Sequence, residues 1–146
     1  MELPSSWLVA LQFILAAALL LTSWPPATAA LPAALALLVV AAVVGIATLA
    51  VNRPGNFNIR PELKAGARLA TSGIYRWIRH PMYSAVLLAM LAAVLADLQP
   101  WRLVVWFALL GVLVAKLQRE ERYLLQRFAE YASYRKRTWR LLPWLW

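Results

Sequence analysis

Polar and apolar positions separate along this chain into long blocks. Four blocks are almost wholly apolar: 7–23, 31–51, 82–96 and 103–115. A helix rises about 1.5 Å per residue, so about 20 residues cross the hydrocarbon of a bilayer, within a range of about 17 to 25. The first two blocks qualify on length. The third and fourth hold 15 and 13 residues, so each must gain length from its flanks or sit where the bilayer is thinned. Neither Pro nor Gly interrupts 116–128, so the fourth block extends as helix into that run. Alternatively the third and fourth form a hairpin that only just reaches the far side. The pattern predicts a single all-α membrane domain over 1–146: an integral membrane helical bundle of about four transmembrane helices at 7–23, 31–51, 82–98 and 101–118. A loop at 52–81 and a C-terminal segment at 119–146 complete it, the latter folding back as a helical lid.

Composition agrees with that pattern. Of the 146 residues 63% are hydrophobic and 14% charged, with a mean hydropathy of +0.64, more apolar side chain than a small water-soluble domain can bury. The absence of cysteine excludes disulfides, thiolate metal sites and cysteine nucleophiles. A net charge of +9 would raise nucleic acid as a partner in a soluble protein, but here its distribution points to a membrane. Fourteen of the fifteen Lys and Arg residues lie in the 52–81 loop or after residue 115, and only Arg102 lies in the 97–102 turn. Retained loops carry such an excess, so both termini, the long loop and the tail are expected on the cytoplasmic face, with no nucleic acid partner. Trp7, Trp24, Trp77, Trp101, Trp139, Trp144 and Trp146 fall at or beyond the expected span ends, where an indole is half wet; only Trp106 is inside a span. A cleaved leader ending near Ala27, Thr28 and Ala29 would need a positive start, whereas Glu2 is the only early charge. Pro25, Pro26 and Pro100 mark turns, and 52–61 opens the long loop.

The loop and the tail hold almost every ionisable group, and the expected topology puts both on one face. Thr71, Ser72, Gly73, Ile74, Tyr75, Arg76, Trp77, Ile78, Arg79, His80, Pro81, Met82 and Tyr83 run straight into the third span. Pro81 suits the first turn of a helix, since it has no N–H to leave unpaired there. His80 then stands near the N-cap, and the free N–H groups and positive dipole end of that helix form an anion site beside Arg79. Glu120 and Glu121 lie at the end of the extended fourth helix, where carboxylates are costly unless paired. Their partners are either neighbours such as Lys116, at i,i+4 spacing, Arg119 and Arg122, or a cationic ligand. Beyond them Leu124, Leu125, Phe128, Tyr131, Tyr134, Trp139 and Pro143 make a segment too polar to span and too apolar to stand free in water.

Gly73, Tyr75, Arg79, His80, Pro81 and Tyr83, followed by Glu120, Glu121, Leu124, Phe128, Tyr131, Tyr134 and Pro143, resemble the isoprenylcysteine carboxyl methyltransferase and phospholipid methyltransferase group of integral membrane enzymes. The resemblance covers roughly 71–143 and rests on the order and spacing of two separate blocks. Ala85 and Ala129 stand where family members often have Gly. The resemblance implies methyl transfer from S-adenosyl-L-methionine to a lipophilic acceptor entering from the bilayer, either a prenylated-cysteine carboxylate or a phospholipid amine. That cofactor asks for an anion site, acidic partners and an aromatic slot, and the sequence offers all three. The five glycines show no G-x-G-x-x-G spacing, which argues against a Rossmann-type domain.

The resemblance implies cofactor contact for Tyr75, Arg79, His80, Pro81, Tyr83, Glu120, Glu121, Tyr131 and Tyr134. Arg79 and His80 would meet its carboxylate, Glu120 or Glu121 its ammonium, and the tyrosines would wall the pocket. A carboxylate acceptor needs no base; an ammonium acceptor needs one, for which His80, Glu121 and Tyr83 are the candidate catalytic residues. No metal ligand set is expected. Each assignment has a plainer reading. His80 also fits a helix cap, one of the two glutamates a solvated helix face, Arg76 a lipid-phosphate anchor, and Arg135, Lys136, Arg137 and Arg140 a grip on anionic lipid headgroups. Asp97 and Arg102 read as turn and interface residues. Among rival functions, membrane sterol reductases using NADPH are similar in carrying an Arg-His-Pro segment, but follow it with Asn where this chain has Met82. A noncatalytic membrane protein is a second rival, and transport is weakened by the near absence of ionisable residues within the spans.

Overall fold

The structure, a computed structural model, describes residues 4–22, 28–52, 62 and 66–144. Trp24 and Trp146, Pro25, Pro26, Ala27, and the loop cations Arg53, Arg60 and Lys64 lie outside the described residues. Among those described there are five α-helices and no strand: α1 (Ser5–Leu21), α2 (Leu31–Val51), α3 (Pro81–Ala96), α4 (Pro100–Arg127) and the short α5 (Tyr131–Arg135). Pro32, Pro81 and Pro100 occupy the first turns of α2, α3 and α4, where a missing N–H costs nothing. The fourth helix does continue past the apolar block, for 28 residues in all.

Two helices, α2 and α4, are long and apolar enough to cross a membrane. The other two, α1 and α3, hold 17 and 16 residues, at and just below the shortest usual span. The first block therefore folds as helix over 5–21, shorter at its C-terminal end than the expected 7–23, while the third stops at Ala96, where Asp97 leaves the helical region.

Within the bundle α2 packs on α3 and α1 on α4, and α3 also meets α4 and α1. Contact between α2 and α3 is built from small side chains. Ala34, Ala41 and Thr48 are the buried residues of α2, spaced by seven, and a Cβ on Gly45 would sit 3.8 Å from the Cβ of Ala85. Lipid supplies no hydrophobic drive for helix pairing, so close backbone approach of this kind is what holds such helices together. The methyl at Ala85, one of the two departures from the family pattern, is thus accommodated by a glycine on the facing helix. The other, Ala129, is exposed. Outward from this seam α2 exposes Leu35, Val39, Val43, Ile46 and Leu49, as a lipid-facing helix does.

Between α3 and α4 the core is larger. Leu87, Met90 and Val94 pack with Leu109, Leu113 and Leu117, joined by Leu19 of α1 and Leu141 of the tail. The one tryptophan inside a span, Trp106, donates its indole N–H to the Leu87 carbonyl at 3.0 Å, which removes the cost of an indole donor in an apolar layer. At the end of the bundle away from the loop and tail, Arg102 is fully buried. It donates to the carbonyls of Leu19 (2.7 Å) and Ala93 (2.9 Å) and to the Thr22 hydroxyl (2.9 Å), tying the last turns of α1 and α3 to the start of α4. The sequence reading made it an interface residue of the turn; it is instead interior.

Candidate functional site

At the opposite end of the bundle the segment before α3 is drawn against the C-terminal tail. A single 3₁₀ turn, Gly73–Arg76, brings the chain up to the end of α2. Gly73 has φ +56°, and a Cβ there would stand 2.6 Å from Val51 Cγ2, so the turn needs glycine both for its backbone and for its space. Asn52 donates through Nδ2 to the Tyr75 hydroxyl at 3.2 Å, fixing the same junction. Next, the tail pairs with the loop backbone. The Trp139 N–H donates to Trp77 O (3.0 Å), Arg79 N–H to Trp139 O (2.8 Å) and His80 N–H to Arg140 O (3.0 Å), with Ile78 and Trp139 forming a one-rung parallel bridge. The Ser84 hydroxyl donates to Leu141 O, and Tyr134 donates its hydroxyl to Tyr75 O at 2.6 Å. The tail therefore lies against the start of α3, its carbonyls accepting from the N–H groups of Arg79 and His80, which precede the helix.

Arg79, His80, Pro81, Tyr83, Glu120 and Glu121 come together there. The Glu121 carboxylate, 3% exposed, meets Arg79 Nε at 2.8 Å, Arg140 Nε at 3.3 Å and His80 Nε2 at 3.4 Å. Arg79 is itself spread over the tail, donating to the carbonyls of Arg135 (3.0 Å) and Thr138. His80 stands at the N-cap position, yet its side chain makes no cap hydrogen bond. Its ring lies parallel to that of Tyr83, 5.5 Å away at 5°, with Nδ1 3.6 Å from Glu120 Oε2. Tyr83 donates its hydroxyl to the same Oε2 at 3.0 Å. Of the two glutamates, then, Glu121 is enclosed by cations, whereas the Glu120 side chain is 31% exposed.

The electrostatics follow from this enclosure. Burial alone would raise the Glu121 carboxyl, but hydrogen bonds from His80 and Arg79 and their charges push it down to about 2. Burial would lower the His80 imidazole, yet the hydrogen bonds and charges of Glu120 and Glu121 outweigh it and raise it above 6.5. Tyr75 is pushed up to about 12, chiefly by burial against the opposing hydrogen bond from Asn52. Burial likewise raises Tyr134, and raises Tyr131 together with the charge of Glu121. At neutral pH the cluster is thus a glutamate held as the anion among cations, bounded by protonated phenols. Tyr131 is 1% exposed and packs against Tyr134 with ring centroids 5.8 Å apart. Its buried hydroxyl has no hydrogen-bond partner among the described residues.

Three participants have partners that the sequence did not point to. Arg140, read as a headgroup cation, pairs with Glu121. Lys116, read as a partner for Glu120, donates its ammonium to Gln12 Oε1 of α1 and lies 5.3 Å from the Tyr83 ring centroid. Gln12 drew no attention, being one amide in an apolar block. A buried carboxylate does require several compensating cations, which is the one signal that points to Arg140. No comparable pattern announces Gln12. Arg76 is exposed, in keeping with its reading as a surface anchor.

An all-helical membrane bundle with a compensated carboxylate cluster where two distant blocks meet defines the class of the molecule. The chain belongs to the phospholipid methyltransferase family, whose sequence pattern matches residues 31–131, and it is a membrane protein of a methyltransferase family. The matched segment includes every residue of the cluster from Asn52 to Tyr131 and leaves out α1. No curated protein matches the chain significantly.

Proposed function

We propose that the protein is a multi-pass membrane methyltransferase that uses S-adenosyl-L-methionine to methylate a lipophilic acceptor reaching the site sideways from the bilayer. In this reading all four long helices span, α1 and α3 with thinning of the bilayer at their short ends. The lysine and arginine excess holds both termini and the site on the cytoplasmic face. Exposed Arg135, Lys136 and Arg137 grip anionic headgroups, and the tail acts as a lid over the start of α3. The observation that carries the reading is the meeting of Arg79 and Glu121, 42 residues apart, with His80, Tyr83 and Glu120 inside the family-matched segment.

The residues present suit the cofactor. The partly exposed Glu120 is the carboxylate available to an ammonium, and the Tyr131 hydroxyl, without a partner among the described residues, offers a buried donor that a polar ligand atom would satisfy. Tyr75, Tyr83, Tyr131 and Tyr134 supply apolar walls. The cofactor brings the chemistry, a methyl group activated on a sulfonium sulfur. What the chain supplies is alignment in a site closed to water, worth on the order of 7 to 11 kcal/mol at best. Arg79 and Arg140 organise Glu121 and the tail, so that Arg79 serves the site by holding its walls. A carboxylate acceptor asks nothing more. An amine acceptor must give up a proton, and the pair of Glu120 and His80 is placed to take it, since Glu121 is held as an anion with little affinity for protons.

Calorimetric titration of the purified protein in detergent with S-adenosylhomocysteine and, separately, NADPH tests this. Saturable binding of the first alone is expected, weakened in Glu120→Gln and His80→Ala; binding of NADPH alone would overturn the proposal. Transfer of labelled methyl to prenyl thioethers or to aminophospholipids then separates the two acceptors.

A further inference from the structure

Lys116 lies on α4 one turn before Glu120, 1% exposed, inside the apolar part of the bundle. A lysine there is costly unless it has partners. Two partners come from different helices: Gln12 Oε1 of α1 accepts a hydrogen bond from the ammonium, and the face of the Tyr83 ring on α3 lies 5.3 Å away; Glu120, one turn on, adds a Coulombic attraction. Gln12 is itself 9% exposed, and its amide would be equally costly without the lysine. Tyr83 continues the line, stacking on His80 and donating to Glu120. The polar cluster at the membrane edge is thus prolonged into the bilayer, ending on a helix that the family match does not include.

We infer that Gln12 and Lys116 are positioning residues for the methyl-transfer site: the ammonium, pinned by the α1 amide, holds the Tyr83 ring so that its hydroxyl faces Glu120. This rests on the function proposed above. A cation over an aromatic face has a preferred placement, and an ammonium on a four-carbon stem keeps that placement only when something orients it. Gln12 supplies the orientation, so α1 serves the site as well as the bundle. A purely structural tie between α1 and α4 would stabilise the helices without affecting Tyr83.

The test compares Gln12→Leu, Lys116→Met and Lys116→Arg with Arg102→Met, which loosens α1 from its other end and touches nothing in the cluster. In protein carrying ¹³C-labelled tyrosine, the Tyr83 ring signal, assigned by its loss in Tyr83→Phe, should move in Gln12→Leu and Lys116→Met and stay in place in Arg102→Met. Affinity for S-adenosylhomocysteine should fall about tenfold in Gln12→Leu and Lys116→Met, a size typical of losing one charge-assisted hydrogen bond. Lys116→Arg, which keeps a cation over the ring, should retain most of it. Each of the first two variants should add nothing to the loss already caused by Tyr83→Phe. An unmoved Tyr83 signal, or losses that add to that of Tyr83→Phe, would overturn the inference. If the wild type fails to bind S-adenosylhomocysteine, the cofactor assignment falls, while the positioning of Tyr83 is still decided by its own signal.

Discussion

Two arginines mark the two ends of the bundle, Arg102 fully buried and Arg79 with its side chain 7% exposed. At the far end Arg102 is matched to the last carbonyls of α1 and α3 and to the Thr22 hydroxyl, with Asp97 Oδ2 at 3.8 Å. Carbonyls at a helix C-terminus carry partial negative charge and lack partners of their own, so one guanidinium closes two helix ends. Arg79 also takes carbonyls, those of Arg135 and Thr138, but its main partner is Glu121. Around that pair the structure adds Arg140, His80, a second glutamate that is 31% exposed, and the Tyr131 hydroxyl, without a partner among the described residues. The far end is a clasp whose groups serve one another. The near end gathers two carboxylates, two arginines and a histidine, and on that gathering the proposed binding site rests.

The largest effect should come from breaking the near end at its centre. Glu121→Ala leaves Arg79 and Arg140 charged around a vacancy, and deleting one partner of a buried ion pair costs about 3–5 kcal/mol. Denaturant or thermal unfolding in detergent should show that loss, with Glu121→Gln losing less because it keeps acceptor and donor atoms. A variant as stable as wild type would mean that the near end is no more than a solvated surface. Next in size, Arg102→Met strands the carbonyls of Leu19 and Ala93 and should cost about 2–3 kcal/mol. Its folded fraction should bind S-adenosylhomocysteine as wild type does; weakened binding would erase the contrast between the ends.

Acidity sharpens the comparison, because the near end alone holds a histidine. The raised imidazole stabilises the fold fully below its unfolded value of 6.5 and loses that contribution as pH climbs through its folded value. The depressed Glu121 contributes above its unfolded value of 4.5 and loses that as pH falls toward about 2. Stability from this cluster should therefore be highest between about 4.5 and 6.5 and decline on both sides. In His80→Phe, which retains the stack on Tyr83, the alkaline decline should shrink while the acid one persists. An alkaline decline of the same size in that variant would remove His80 from the account.

Much of the bundle can be read in advance because single residues impose it. Pro81 and Pro100 begin helices, the uninterrupted 116–127 stretch carries α4 beyond the apolar block, and buried glutamates demand cations. The meeting of the 73–83 and 120–134 blocks is expected from the lysine and arginine excess, which reads as putting both on one face of a membrane. Partner choice is less legible, since it depends on which side chain arrives first in three dimensions. Lys116 has a carboxylate one turn away in sequence but an amide from α1, 104 residues distant, faces it. Arg79 is expected at a cofactor carboxylate, and the acidic partner the structure gives it is Glu121. The pairing of 77–80 with 139–140 leaves no trace in hydropathy, for a one-rung bridge made of backbone hydrogen bonds needs no alternating pattern. Arg102 reads as a turn and interface residue because it is a charge in a short turn; only the convergence of two helix ends makes it interior.

Smaller effects separate stability from binding. Glu120→Gln should change stability by no more than about 0.5–1 kcal/mol, as for other partly exposed ion-pair partners, yet weaken S-adenosylhomocysteine binding. Tyr131→Phe goes further, because the two quantities should move in opposite directions. The hydroxyl is buried without a partner among the described residues, and an unsatisfied buried polar group costs about 1–3 kcal/mol relative to one that is bonded. Removing the oxygen while keeping the ring should leave the ligand-free protein as stable as before or about 1 kcal/mol more so. If a ligand atom is what satisfies that hydroxyl, the same substitution must lower affinity, and the stabilisation that ligand gives in a thermal shift must shrink with it. A residue that served only the fold would lose stability and leave affinity alone. The sign of the stability change in Tyr131→Phe, measured with and without S-adenosylhomocysteine, therefore decides whether the near end is built around a ligand or only around itself.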